Sequence, residues 1–178
     1  MKRTGIYGIM AEFDSTTDLV TAANRTREAG YTRIDAYSPF PVEGLAEAIG
    51  FHRDEVPLVV LIGGLIGGLT GYALQYWISA VSYPINVGGK PYHSWPAFIV
   101  VTFEMTILFA GIFAVLGMLA LNGLPMPYHP VFNVPRFAFA TRDRFFLILF
   151  SSDPKYNPTE VRRFLESLGP RSISEVPD

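Results

Sequence analysis

Between Glu55 and Lys90 the chain carries no charged side chain, and between Lys90 and Arg136 it carries one, Glu104. Gaps of that length predict two membrane-spanning helices. Pro57 to Ser79 (PLVVLIGGLIGGLTGYALQYWIS) would be about 34 Å long at about 1.5 Å per residue, enough for a hydrocarbon core of about 30 Å. Pro96 to Leu121 would be about 39 Å long, so it crosses with tilt or with its ends among the headgroups. Trp77, Tyr83, Tyr92 and Trp95 fall where the pair would leave the bilayer, the usual place for interfacial aromatics.

The flanks carry shorter periodic runs. Gly5 to Glu12 alternates loosely and predicts a strand. Asp14-Ser15 then caps a helix from about Thr16 to Ala29, with Leu19, Ala22, Ala23 and Thr26 on its apolar face and Gly30 as its stop. Thr32 to Tyr37 predicts a second strand. After the spans, Phe145 to Phe150 is a continuous apolar run, and Asn157-Pro158-Thr159-Glu160 supplies an N-cap, a first-turn proline and a capping-box glutamate. That helix ends at Gly169, and Arg171 to Val176 predicts a last strand.

Strand–helix–strand on each side of two spans is the split order of a ferredoxin-like sandwich. The predicted architecture is an α+β membrane protein: a transmembrane hairpin (57–121, loop 80–95) inserted into a split ferredoxin-like βαβ–βαβ domain made of residues 1–56 and 136–178. Neither half buries a worthwhile core alone, so the halves are expected to pair into one sheet. Separate peripheral segments held by partner proteins are the other arrangement the pattern allows. Val42 to Ile49 offers a short amphipathic helix for the membrane or a neighbour. Asn122 to Pro135, with four prolines, reads as a stiff, extended, apolar linker that either binds a partner surface, the favoured reading, or lies in the interface, and Arg136 to Ala140 adds a strand or leads into Phe145.

Composition narrows the function. Hydrophobic residues make up 49% and charged residues 17%, mean hydropathy is +0.27 and the formal charge is −2. The lack of a basic block argues against nucleic-acid binding. There is no cysteine, so thiolate metal sites and thioether-linked haem are excluded. His52, His93 and His129 all lie outside the spans, which leaves no histidine to ligate a haem at membrane depth. No phosphate-binding loop or nucleophile–base constellation is visible, and Asp14, Asp18, Glu28, Asp35, Asp143, Asp153 and Glu160 read as caps and solvated faces. The chain is therefore expected to be non-catalytic and to carry no cofactor. Met1-Lys2-Arg3 is succeeded by a short apolar stretch and then by acidic, polar sequence, which does not fit a secretory signal, so the first span is expected to direct insertion. Lys90 is the only basic residue between the spans, whereas Lys2, Arg3, Arg53 and Arg136 lie outside them, so both termini are expected in the cytoplasm and residues 80–95 in the periplasm.

Within the spans, Gly63, Gly67 and Gly71 repeat every four residues with Gly64 and Gly68 beside them, and the second span has Ala110, Gly111, Ala114 and Gly117. Small residues at that spacing let helices approach closely in lipid. Self-packing of the hairpin accounts for one such face, and a second suggests docking on a larger helical membrane protein. Glu104 is the one ionisable group at membrane depth. It is a proton relay, a hydrogen-bond partner for a neighbour, or a structural carboxyl bonded to Thr102 or Thr106. Tyr83, Asn86 and Trp95, and Tyr128, His129 and Phe132, are the candidate partner-contact residues of the two aromatic, proline-rich loops.

The runs Tyr37-Ser38-Pro39-Phe40-Pro41-Val42-Glu43-Gly44-Leu45, Gln75-Tyr76-Trp77, Tyr83 to Pro91, Ser94 to Phe98 and Tyr128 to Asn133 closely resemble the ActD family of bacterial alternative complex III, over nearly the whole chain. The resemblance implies an accessory, cofactor-free subunit of a quinol:electron-acceptor oxidoreductase in the cytoplasmic membrane. Separate subunits would carry c-type haems and iron–sulfur clusters, large polytopic subunits would hold the quinol site, and these subunits and membrane lipid would be its partners. It implies bracing of those helices from the cytoplasmic side and a part in proton movement through Glu104. The competing expectation is a stand-alone membrane-tethered sensor whose ferredoxin-like domain binds a small ligand.

Overall fold

A computed structural model describes residues 5–51 and 54–178. Lys2, Arg3, His52 and Arg53, used above for charge bias and ligand counting, lie outside the described residues. The chain divides into two compact units, residues 1–52 with 127–178 and residues 53–126.

The first unit is mixed α and β. Strand β1 is Ile6–Phe13, helix α1 Thr16–Glu28, strand β2 Ile34–Tyr37 and the short helix α2 Leu45–Ala48. Its later elements are β3 (Phe145–Phe150), α5 (Pro158–Ser167) and β4 (Ser172–Pro177). The four strands form one antiparallel sheet in the order β2-β3-β1-β4, so strands from both ends of the sequence share a sheet. Ile9 lies opposite Leu149 on one side and Glu175 on the other, and Phe13 lies opposite Phe145.

Local chemistry explains the element ends. The Ser15 hydroxyl accepts from the Asp18 amide at 3.1 Å, and Asn157 Oδ1 accepts from the Thr159 amide at 3.1 Å. Each satisfies an amide that the first helical turn leaves unpaired. Gly30 (φ +88°) and Gly169 (φ +71°) take the left-handed conformation that stops each helix.

One face of the sheet packs Ile9, Ala11, Phe13, Phe145, Leu147 and Leu149 under Leu19, Ala22 and Ala23 of α1, Val161 and Leu165 of α5, and Leu45 and Ala48 of α2. The predicted amphipathic helix is thus shorter than Val42 to Ile49, and its apolar face is spent on this core. The other face carries Met10, Phe146, Ile148 and Val176, covered by Val131, Val134, Phe137 and Ala140.

That cover corrects the reading of the proline-rich segment. Pro130–Asn133 and Pro135–Thr141 are 3₁₀ helices, not extended linker and not a strand, and residues 127–135 belong to this unit. Their buried residues repeat every third position, which is the period of a 3₁₀ helix. A sheet apolar on both faces needs a second lid, and this strap supplies it. It also explains why β3 reads as an unbroken apolar run although its neighbours are antiparallel, a pattern more usual in parallel sheets.

Asp153 is buried rather than solvated. Its Oδ2 accepts from the amides of Thr32 and Arg33, each at 2.8 Å, and its Oδ1 from the Lys155 amide at 2.8 Å. Burial pushes this carboxyl up, but those amide hydrogen bonds outweigh it and hold the group below its ordinary value. Asp153→Ala strands three amides and is expected to destabilise the unit by about 1–3 kcal/mol, read as a lower urea midpoint for its proteolysis.

The second unit holds two helices long and apolar enough to cross a membrane, Val56–Ser82 and Trp95–Leu121. The first comprises α3 (Val56–Tyr76) and a π-helical continuation, Trp77–Ser82; the second is α4 (Trp95–Leu121).

Candidate functional site

Helices α3 and α4 pack antiparallel, with Val59 against Gly117, Gly63 against Phe113, Gly67 against Phe109 and Met105, and Gly71 against Met105 and Thr102. A Cβ on Gly67 would collide with the Met105 carbonyl oxygen and lie 2.7 Å from Phe109 Cβ. One on Gly63 would lie 2.5 Å from Phe113 Cβ, one on Gly71 2.9 Å from Met105 Cβ, and one on Gly117 2.6 Å from Val59 Cγ1. The second glycine row meets α4 as well, since a Cβ on Gly68 would lie 2.8 Å from Thr106 Oγ1 and one on Gly64 3.7 Å from Ala110 Cβ. Both rows are therefore occupied within the pair, and the expectation that one was left over for an outside helix loses its basis. Ala110 and Ala114 are half-buried on the same side.

The polar side chains of the contact satisfy each other. Gln75 Nε2 donates to the carbonyls of Gly71 (3.1 Å) and Phe98 (3.0 Å) and to Thr102 Oγ1 (3.3 Å). The Thr106 hydroxyl donates to the Thr102 carbonyl at 2.7 Å. Both threonines are thereby committed, and neither is bonded to Glu104 among the described hydrogen bonds. Glu104 instead stands exposed on the other side of α4. On that side Ile107, Leu108, Gly111, Ile112, Val115 and Leu116 line a shallow apolar groove of about 560 Å³.

At the loop end, the Tyr72 hydroxyl and His93 Nε2 are 2.5 Å apart, and the His93 ring meets Tyr76 edge-on with centroids 5.2 Å apart. Tyr83 and Trp95 are exposed, and Asn86 Oδ1 accepts from the Gly89 amide at 3.1 Å, closing its own turn. In the α/β unit, His129 is tucked against Tyr7, with Nε2 3.3 Å from the hydroxyl and the rings edge-on. It is held within its own unit rather than presented outward. Tyr128 is exposed and bonded to Asn133, and Phe132 is 72% exposed with one edge on Phe137.

Sequence reasoning missed the charged centre of the α/β unit. Glu12 is 1% exposed on the strap side of β1. Arg136 grips it through Nε–Oε2 at 2.5 Å and Nη2–Oε1 at 2.7 Å, and Ser172 Oγ donates to Oε2 at 2.7 Å. Arg144 and Arg171 approach within 3.8 and 4.0 Å, and both also bind Asp14. The Arg136 hydrogen bonds hold the Glu12 carboxyl below its ordinary range against the opposing effect of burial, with Ser172 adding to them. One acid thus ties together the strap, β1 and β4. The available signal was a lone carboxylate ending the apolar strand Ile6 to Phe13.

Comparison with curated proteins gives no match. The family model described as "Alternative complex III, ActD subunit" matches residues 7–175, nearly the whole chain and both units just described. With its two apolar helices and antiparallel α/β unit, this chain belongs to the ActD subunit family of alternative complex III.

Proposed function

We propose that this chain is a cofactor-free accessory subunit that braces the polytopic, quinol-binding subunits of its complex from the cytoplasmic side of the bacterial inner membrane. The family match over residues 7–175 carries the reading. The two helices would cross as a hairpin with both termini cytoplasmic, and the sheet order β2-β3-β1-β4 supports a split ferredoxin-like domain around them. Haems and iron–sulfur clusters are assigned to partner subunits. Family membership favours this reading over a stand-alone sensor.

Proton movement through Glu104 has less support within the chain. Gln75, Thr102 and Thr106 lie between α3 and α4 and are bonded to one another and to carbonyls, so they do not extend a path from the opposite side of α4. Glu104 is better read as a hydrogen-bonding group for a neighbour. A mild-detergent pull-down of the full chain from its native membrane tests the subunit reading. Haem absorption and polytopic proteins are expected to come with it; a haem-free chain running alone would refute the role.

A further inference from the structure

We infer that the face of α4 carrying Val100, Glu104, Leu108, Gly111, Val115 and Met118 is the docking surface for one transmembrane helix of a polytopic partner subunit. That helix would place a bulky side chain over Gly111 and a hydrogen-bond donor at the level of Glu104. The inference rests on the accessory-subunit reading and names its contact.

Two independent observations carry it. Gly63, Gly67, Gly68, Gly71 and Gly117 each stand where a Cβ would press against the other helix, and Gly64 lies in ordinary contact with it, whereas a Cβ on Gly111 would meet nothing within 4 Å. Glycine inside a helix costs about 1 kcal/mol relative to alanine, and α3 supplies no reason for it at position 111. The groove centred there is the space a neighbour's side chain would enter.

Glu104 is the second observation. It precedes Gly111 by seven residues, two turns and about 10.5 Å along the same face, and its side chain is exposed. A carboxyl facing hydrocarbon at that depth is costly whether charged or protonated, and a donor on an adjoining helix removes the cost. The outward face of α3 offers a contrast: Leu58, Leu61, Leu65 and Leu69 are exposed there, a surface that lipid alone satisfies. Charge complementarity therefore selects a protein helix with a donor for α4, and lipid for α3.

A photoreactive benzoylphenylalanine replacing Leu108 or Val115 in the assembled complex is expected to crosslink to one and the same polytopic subunit, while the same probe replacing Leu61 or Leu65 labels lipid. Glu104→Leu and Gly111→Leu should each lower the amount of chain retained with the complex after a detergent wash at least tenfold, and Glu104→Gln, which still accepts a hydrogen bond, should retain it. Crosslinks from positions 108 and 115 only to lipid or to a second copy of this chain, with co-purification intact, would overturn the docking face and leave the subunit role standing. A chain that co-purifies with nothing would overturn both.

Discussion

Gly67→Leu should force α3 and α4 apart. The α-carbon of Gly67 sits so close to α4 that even a methyl group would strike the Met105 backbone carbonyl, which cannot rotate aside as a side chain can. Overpacking costs about 1–3 kcal/mol in a core that can adjust, and a clash with backbone belongs at or above the top of that range. In the membrane placement proposed above the pair would also rely on close approach, because helices in lipid gain little from burying apolar surface against each other. The measurement is a disulfide between Gly64→Cys and Ala110→Cys. A Cβ at Gly64 would lie 3.7 Å from that of Ala110, close to the spacing of about 3.8 Å that a disulfide prefers. The bond should form nearly completely in the otherwise native chain, and its yield should fall several-fold when Gly67→Leu is added. An unchanged yield would show that the helices do not meet through this face.

Glu12→Ala is expected to be the most damaging single change in the α/β unit. Breaking a buried ion pair by removing one partner typically costs about 3–5 kcal/mol. Here the expected cost lies near the lower end, because Arg136 and Arg171 are nearly half exposed and regain water once released. The strap should loosen first, since Arg136 anchors its second 3₁₀ helix to β1, and proteolysis within 130–141 would report it. The effect depends on pH. The folded-state carboxyl titrates below its unfolded value, so its contribution is fully present above the unfolded carboxylate range, about pH 4.3, and is lost as pH falls through the lowered folded value. Asp153 is held low as well and adds to loss in the same acid window. Glu12→Gln keeps the shape but removes the charge, so its stability should fall below that of the native chain at neutral pH and converge with it in acid. Parallel curves for the two proteins down to the acid transition would refute the role assigned to Glu12.

What the sequence made legible was local. Ser15 and Asn157 cap helices a few residues away, Gly30 and Gly169 stop them, and two long apolar stretches, one uncharged and one with Glu104 as its single charge, announce α3 and α4 without reference to anything else in the chain. The strap was hidden because prolines argue for an extended segment, while the spacing of Val131, Val134, Phe137 and Ala140 fits a 3₁₀ period that is rarely sustained for so long. The Glu12 centre was hidden for another reason: Arg136 stands 124 positions away and Ser172 160, and no local pattern encodes either contact. Gly111 and Gly67 look alike in a sequence. Only the placement of α3 distinguishes a glycine pressed against a backbone from one beside an open groove.

The sheet order has a consequence for synthesis. Among the described residues the strands that pair with β1 are β3 and β4, and both come after α3 and α4 in the chain. At about 5–20 residues per second, Phe145 leaves the ribosome on the order of ten seconds after Phe13, its partner across the sheet. During that interval Ile9, Ala11 and Phe13 have no strand to pair with, while the apolar helices are already being made. Completion of the sheet therefore records that translation has passed both helices. A chain halted between them would display an unpaired apolar strand, a natural mark for chaperones and proteases to recognise.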